Sequence, residues 1–460
     1  MSLLTNLLVG RSGLSAAQAG VDATSQNVAN ASVPGATRRM ALTSVNSPLR
    51  RGNLWLGQGA SVDGIDRPSD NLLTARRLQG LGTAARSELS WQALRSAETV
   101  FDATQATTSR AGVDAFFDSL TRATADPSDP GLRRGVMSAA RDLATSVSRE
   151  AGVLNATLTG REETIEASLP KINDALRTIA DLNRAILASD NGTLTSGDIK
   201  DQRDAQLQVV AIAAGAQVHL EADGTATVFL SGHAAVSGIE ARSLSYSETA
   251  EGAPQVSLSH SGNTSLEITD GLGGEIGGQM DAWNTARGWL DRLDTFAADF
   301  SAAVNTAHAA GFDRTGVPGE PIFVALATDP ALSLTINAGL VEDPSKLAFA
   351  GTSPPDAGDI DNLRSLLNLE VATTIDGSTT AGAWLTDLVT TVGTDVSRLE
   401  SETITNSALA RDLEELHQNL HGIDLDEEAA NLILYQAAYQ ASARVIAAND
   451  ALVNTLLELV

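Results

Sequence analysis

The sequence predicts an elongated, multi-domain α+β chain. It has α-helical coiled-coil segments at both termini, a helical middle domain and a β-rich outer domain. Three observations predict this. Apolar residues recur at helical spacing at both chain ends, the flanks carry helical periodicity, and strand-like alternation is confined to the middle.

The N-terminal element comes first. Its first 36 residues hold two charges, Arg11 and Asp22, and apolar residues recur every seven positions at Leu7, Leu14, Val21 and Val28. A companion seam of mostly small residues runs through Leu3, Gly10, Ala17 and Thr24. This is an amphipathic helix roughly 45 Å long, ended by Pro34-Gly35. Residues 37–85 are mixed, with turns at Gly57, Gly59 and Gly64 and Arg67-Pro68 ahead of a new helix. Helical pattern runs from Leu72 to about Thr124, breaks at Asp126–Gly131, and returns from Leu132 to Ala188, with Pro170 marking a kink or break. Asn191-Gly192 reads as the next turn.

The texture turns β-like between about 209 and 270. Ala216–Glu221 and Thr225–Ser231 flank Ala222-Asp223-Gly224, which reads as a hairpin. Gly271–Gly278 reads as a flexible glycine connection before a helix at about 279–310. Residues 313–380 are irregular with a short strand near Leu332–Ile336, and helix resumes at 383–420. The C-terminal helix starts at Asp424 or Asp426, with Glu427 and Glu428 in its first turn. Its stripe runs Leu434, Ala438, Ala441, Val445, Ala448, Leu452, Thr455, Leu459.

The expected division is 1–36, N-terminal axial helix; 37–205, helical middle domain; 206–271, β-rich outer domain; 272–312, middle-domain helix; 313–359, irregular or β, outer or middle; 360–423, middle-domain return helices; and 424–460, C-terminal axial helix. The two terminal helices, alike in length and texture, are expected to pair. Both stripes are half small residues, and apolar burial gives about 25 cal/mol per Å2. Such helices need neighbours on several sides and are expected to gain their shape only inside a polymer. The subunit-packing residues are then Leu7, Leu14, Val21, Val28, Leu434, Val445, Leu452 and Leu459.

Composition narrows the function. The chain has 460 residues, 43% hydrophobic but only 4% aromatic, and a formal net charge of −26. That charge argues against nucleic acid and against an anionic membrane surface. The absence of cysteine excludes disulfides, thiolate metal sites and a Cys nucleophile. No catalytic, cofactor or metal site is expected. His417 and His421 are four apart, but no third ligand accompanies them, so they read as a solvated helix face. Gly271–Gly278 lacks the Lys-Ser/Thr ending of a phosphate loop. Glu162-Glu163 and Glu414-Glu415 read as solvent-facing.

Particular motifs go further. Ser12–Gln18, then Ser25-Gln26-Asn27-Val28-Ala29-Asn30 and Pro34-Gly35, resemble the N-terminal signature of bacterial flagellar rod, hook and hook-associated proteins. Asp424–Leu432 with Tyr435–Ile446 is similar to the flagellar hook-associated protein 1 family, the hook–filament junction proteins. Asp201-Gln202-Arg203-Asp204, Asp223-Gly224, Gly273-Gly274, Val304-Asn305 with His308, and Gly311-Phe312-Asp313 resemble that family too. The sequence departs from it at Ala36, where an aromatic is usual, and in being short, which implies a reduced outer domain.

The resemblance implies a structural adaptor, not an enzyme. It implies a ring homopolymer whose terminal helices pack as an inner tube and are disordered in the free monomer. The implied partners are the chain itself, the hook protein, the second hook–filament junction protein and an export chaperone on the C-terminal region. It implies export to the flagellum without a cleaved signal peptide. The N-terminus, lacking a basic region before its short apolar stretch, agrees. The rivals are a hook- or rod-type axial component and an activity grafted on the outer domain.

Overall fold

The computed structural model describes residues 3–458 except 34, 52–53, 69, 103–106, 190–195, 251, 261–263 and 357. Along the chain run α1 (Leu3–Asn30), β1 (Met40–Val45), β2 (Leu49–Arg51), β3 (Leu54–Leu56), β4 (Ala60–Asp66), α2 (Asn71–Glu98), α3 (Ser109–Ala123), α4 (Pro130–Ser189) and α5 (Ser196–Ala214). Seven strands follow: β5 (Gln217–Leu220), β6 (Ala226–Leu230), β7 (His233–Ser237), β8 (Glu240–Ala241), β9 (Leu244–Glu248), β10 (Pro254–His260) and β11 (Thr264–Glu267). The return leg is α6 (Gly274–Ala309), β12 (Phe323–Val324), β13 (Thr335–Ile336), α7 (Ala338–Glu342), α8 (Asp361–Asn368), α9 (Ala381–His421) and α10 (Leu425–Glu458). The α+β class and the terminal helices are as the sequence predicts. The Asn191-Gly192 turn lies outside the described residues.

The chain divides into two compact units. Unit 1 holds residues 1–85, 168–276 and 405–460, and unit 2 holds 86–167 and 277–404. Each boundary falls inside a helix, in α2, α4, α6 and α9. Helix α4 runs through Pro170 without breaking, giving up one backbone bond there.

In unit 1 the middle of the chain forms two antiparallel sheets, ordered β5-β6-β7-β8 and β11-β10-β9. The expected hairpin is present, with Gln217 opposite Phe229 and Leu220 opposite Ala226, and Gly224 supplies its positive-φ turn. Helix α5 carries the chain to Ala214, so β structure starts later than the sequence texture suggests. Two asparagines of α4 hold the sheets. Asn183, fully buried, accepts from Ala226 N at 3.0 Å and donates to the carbonyls of Ala226 and Gly238 at 2.9 and 2.7 Å. Asn173 exchanges bonds with Leu244 N and O at 2.7 and 2.9 Å. One amide side chain carries a donor and an acceptor, which matches a strand's unpaired edge.

The glycine run is not a flexible linker. Helix α6 already begins at Gly274. A Cβ on Gly215 would lie 2.3 Å from Gly273 Cα, and one on Gly274 would lie 2.3 Å from Ile212 O. The glycines let the end of α5 and the start of α6 touch backbone to backbone.

Unit 2 concentrates the scarce aromatics. Phe116, Phe117, Phe296, Phe300 and Phe323 form one cluster with ring centroids 5.3–6.2 Å apart, nearly all edge to face. The irregular stretch after α6 is pinned by residues of α6. Asn305 accepts from Ile322 N and Phe323 N at 2.8 and 3.0 Å and donates to Phe323 O at 2.8 Å. Buried His308 contacts Glu320 O through Nδ1 at 2.6 Å and accepts from Ala348 N through Nε2 at 2.8 Å. Burial, chiefly, lowers its pKa to about 4, so the ring stays neutral in this role.

Glu150 of α4 is wholly buried in unit 2. Its Oε1 accepts from Ser109 N at 2.7 Å, while Oε2 has no hydrogen-bond partner. Burial raises its pKa to about 7. The folded chain therefore binds this proton more tightly than the unfolded chain. The contribution to stability is fully present below the unfolded value near 4.5 and is lost as pH rises through about 7. Glu150→Gln should stabilise the chain by about 1–3 kcal/mol at pH 8, with a smaller gain at pH 5. Chemical denaturation at the two pH values, compared with wild type, checks this.

Candidate assembly surface at the paired chain ends

Helices α1 and α10 pack antiparallel. A Cβ on Gly10 would meet Ile446 Cγ1 at 3.0 Å, one on Gly13 would meet Ser442 Oγ at 2.8 Å, and one on Gly20 would meet the Tyr435 ring at 2.5 Å. The seam on α1 is Gly10, Gly13, Ala17, Gly20, Thr24 and Asn27, alternating spacings of three and four. Missing side chains let the two backbones approach closely, so packing comes from proximity and not from large apolar area. The expected pairing of the chain ends is present. It forms in the single chain, however, where the sequence reading expects order only in a polymer.

The inward seam is the small-residue one. Leu7, Leu14 and Val21 are partly buried on α1, while Val28 is exposed. On α10, Leu434 is 62% exposed, and Val445 and Leu452 are about half exposed. Ile433 at 69% joins them. Leu459 lies outside the described residues. The pair is thus formed but only part-covered, with large apolar side chains facing away from the seam.

The pair is anchored at its base in unit 1. Asn27, buried, accepts from Arg39 N at 2.8 Å and donates to Arg39 O at 2.9 Å, fixing the chain's return after α1. Arg38 N donates to His421 O at 2.8 Å. The Arg38 guanidinium pairs with Glu427 at 2.7 Å, and its Nε lies 2.8 Å from buried Glu428, off-axis for a hydrogen bond. Asp201 accepts from Thr37 Oγ1 at 2.7 Å and from Arg67 Nη1 at 2.8 Å. Asp204 accepts from Arg67 Nη2 at 2.6 Å and from Arg203 Nη2 at 2.9 Å. Arg203, almost wholly buried, also donates to Gly224 O in the β5–β6 turn. Burial works against the Arg67 charge, yet Asp204 and Asp201 outweigh it and hold its pKa above the ordinary value. The Asp-Gln-Arg-Asp motif therefore ties three segments together, the chain after α1, the link between β4 and α2, and the strand hairpin.

A cleft of about 940 Å3 lies beside this anchor, lined by Arg38, Arg77, Asp201, Glu414 and His417 among others. His417 and His421 are not a solvated helix face. Their rings stack at 4.6 Å, and buried His421 accepts from Asp70 N at 3.4 Å. Burial, with Arg77 nearby, lowers the His417 pKa to about 4. Glu414 is not purely solvent-facing, since it pairs with Arg77 at 2.5 Å, and Glu162 accepts from Trp283 Nε1 at 2.9 Å. Among the described residues there is no group of three or more metal-ligating side chains, and no helix is long and apolar enough to cross a membrane.

The family model for the helical domain of flagellar hook-associated protein FlgK matches residues 94–323, half of the chain. The chain belongs to the FlgK family of flagellar hook-associated proteins. Two further models flank that match at the paired ends, a flagella basal body rod protein model at residues 7–37 and a flagellar basal body rod FlgEFG protein C-terminal model at 421–459. Flagellar hook-associated protein 1 of Escherichia coli is 26% identical over 100% of both chains. That of Bacillus subtilis is 23% identical over 99% of this chain and 98% of its own. The Escherichia coli alignment spans 558 positions against 460 residues here, so that relative carries stretches this chain lacks. The flagellar hook junction protein FlgK from Burkholderia pseudomallei shares the fold, with a TM-score of 0.64 at 16% identity over 76% of this chain and all of that one. As a hook-associated protein of this family, the chain is a component of the bacterial flagellum, assembling with other axial components.

Sequence reasoning missed Asn27, Arg67 and His421 as anchors. Asn27 stood inside the stretch that resembles the signature shared by rod, hook and hook-associated proteins, and its place three residues after Thr24 on the small seam was the available signal. Arg67 and His421 gave none, because their partners lie far along the chain.

Proposed function

We propose that copies of this chain polymerise into a ring that joins the flagellar hook to the filament. The terminal helix pairs pack side by side as an inner layer, with Leu7, Leu14, Val21, Val28, Leu434, Val445, Leu452 and Leu459 between copies. One observation carries this reading: α10 leaves Ile433, Leu434 and Leu452 more than half exposed in the single chain, with Val445, at the edge of the Gly10 contact, about half exposed beside them. Packing of neighbouring pairs removes that surface from water. The small α1 seam leaves each pair narrow enough for several to surround an axis.

In this reading one face of the ring meets the hook protein and the other meets the second junction protein. An export chaperone holds the C-terminal region, whose exposed leucines would otherwise associate early. The chain leaves the cell without a cleaved signal, and a cysteine-free sequence does not cross-link on the way. The role is that of an adaptor, with no catalytic step.

Labelling isolated flagella with an antibody to this chain tests the placement. Label confined to the hook–filament boundary is the expected result. Label along the hook or in the rod would replace this reading by a general axial one.

A further inference from the structure

We propose that the β1–β4 ribbon of one copy docks on the outer face of α9 in a second copy of this chain. The proposal rests on the ring reading and names the contact between copies outside the helix layer. β1 pairs with β4 and β2 with β3, making a two-stranded ribbon. Its apolar side chains face solvent: Met40, Leu42 and Leu49 are about half exposed, Trp55 is 66% exposed and Val45 is 85% exposed. An exposed apolar ribbon of this kind calls for a partner. The ribbon is also basic. Residues 37–67 hold five arginines against two aspartates in a chain of net charge −26.

The arginines at the ribbon's base are engaged by the chain itself, Arg38 by Glu427 and Glu428, Arg67 by Asp201 and Asp204. At the far end Arg50 lies over the Trp55 ring at 5.7 Å, presenting a cation and an aromatic together. The complementary surface is on α9. Leu409, Asp412, Leu416 and Leu420 share one helix face, and all four are exposed, with exposed Glu415 beside them. Of the carboxylates on this stretch of α9, Glu414 pairs with Arg77, while Asp412 and Glu415 face solvent, with Arg411 the one Lys or Arg between 409 and 421. Apolar with basic thus faces apolar with acidic.

The occupant is a second copy, because the ribbon leads away from its own α9. Its base adjoins Asn27 through Arg39 and the end of α9 through Arg38. Its far part adjoins Ser12, which accepts from Ala60 N at 3.3 Å. Fifteen residues of α1 separate those points, about 22 Å along the helix.

The chain has no cysteine, so engineered pairs report cleanly. Cells producing Val45→Cys and Glu415→Cys chains together should yield flagella in which mild oxidation links the two into a dimer. Neither variant alone should do so. Adding Arg50→Glu and Trp55→Ala to the first chain should lower the yield at least tenfold. Both variants present at the junction without a cross-link would overturn this contact and leave the ring reading standing. A cross-link unaffected by the Arg50 and Trp55 changes would overturn it too. A cross-link to a different flagellar protein would assign the ribbon to that protein. Absence of the wild-type chain from the junction would defeat the ring reading, and this one with it.

Discussion

Gly20→Leu should abolish assembly while leaving unit 2 folded. A single added Cβ at this position already falls 2.5 Å from the Tyr435 ring, well inside contact distance, and leucine adds three more carbons. The seam cannot absorb them by local adjustment, because Gly13 and Gly10 hold the same close approach further along, with Cβ clearances of 2.8 and 3.0 Å. α1 and α10 must separate or shift register. Either outcome exposes the seam and misplaces Leu434 and Val445, which lie across the turns that Gly20 and Gly10 face. Cells carrying the variant should be non-motile with hooks that bear no filament. Hydrogen exchange should show lost protection confined to α1, α10 and the ribbon beside α1. Wild-type filaments in the variant would show that the close seam is dispensable.

Arg67→Ala should destabilise unit 1 by about 3–5 kcal/mol, the usual cost of removing one partner from a buried ion pair. Arg67 is the only described side chain that bridges Asp201 and Asp204, at 2.8 and 2.6 Å. Its removal leaves two largely buried carboxylates leaning on Thr37 and Arg203. Arg67→Lys should recover only part of the loss, since an ammonium cannot span both carboxylates as the planar fork does. Urea denaturation of the three chains checks both statements. Equal stability of wild type and Arg67→Ala would mean that the anchor carries no net energy.

The extent to which this fold was legible depends on what each signal measures. Periodicity reports faces of helices, so α1, α10, α9 and the long α4 were readable to within a few residues. It does not report which face turns inward. On α1 the eye goes to Leu7, Leu14, Val21 and Val28, yet glycine has no hydropathy to display, and the Gly10–Gly20 seam packs through what it lacks. Glycine misled again at Gly271–Gly278, where close backbone contact looks the same in sequence as a flexible link. The Asn173 and Asn183 clamps were invisible, and Asn27 and Asn305 showed only as parts of motifs, because each pairs with a backbone edge defined only after folding. The Asp201–Asp204 hub was visible as a motif, but its meaning lay in Arg67, more than a hundred residues away. His417 and His421 failed for a related reason, their burial coming from α2 and from the chain after α1.

The central claim is that the terminal pair forms within one chain and keeps an apolar outer face that only other copies cover. Thiol labelling measures it most directly, using Leu434→Cys and Val445→Cys in a chain that has no cysteine of its own. Both thiols should react at near free-thiol rates in the soluble chain and be protected at least tenfold in intact flagella. Equal reactivity in the two states, or protection already complete in the soluble chain, would contradict the account.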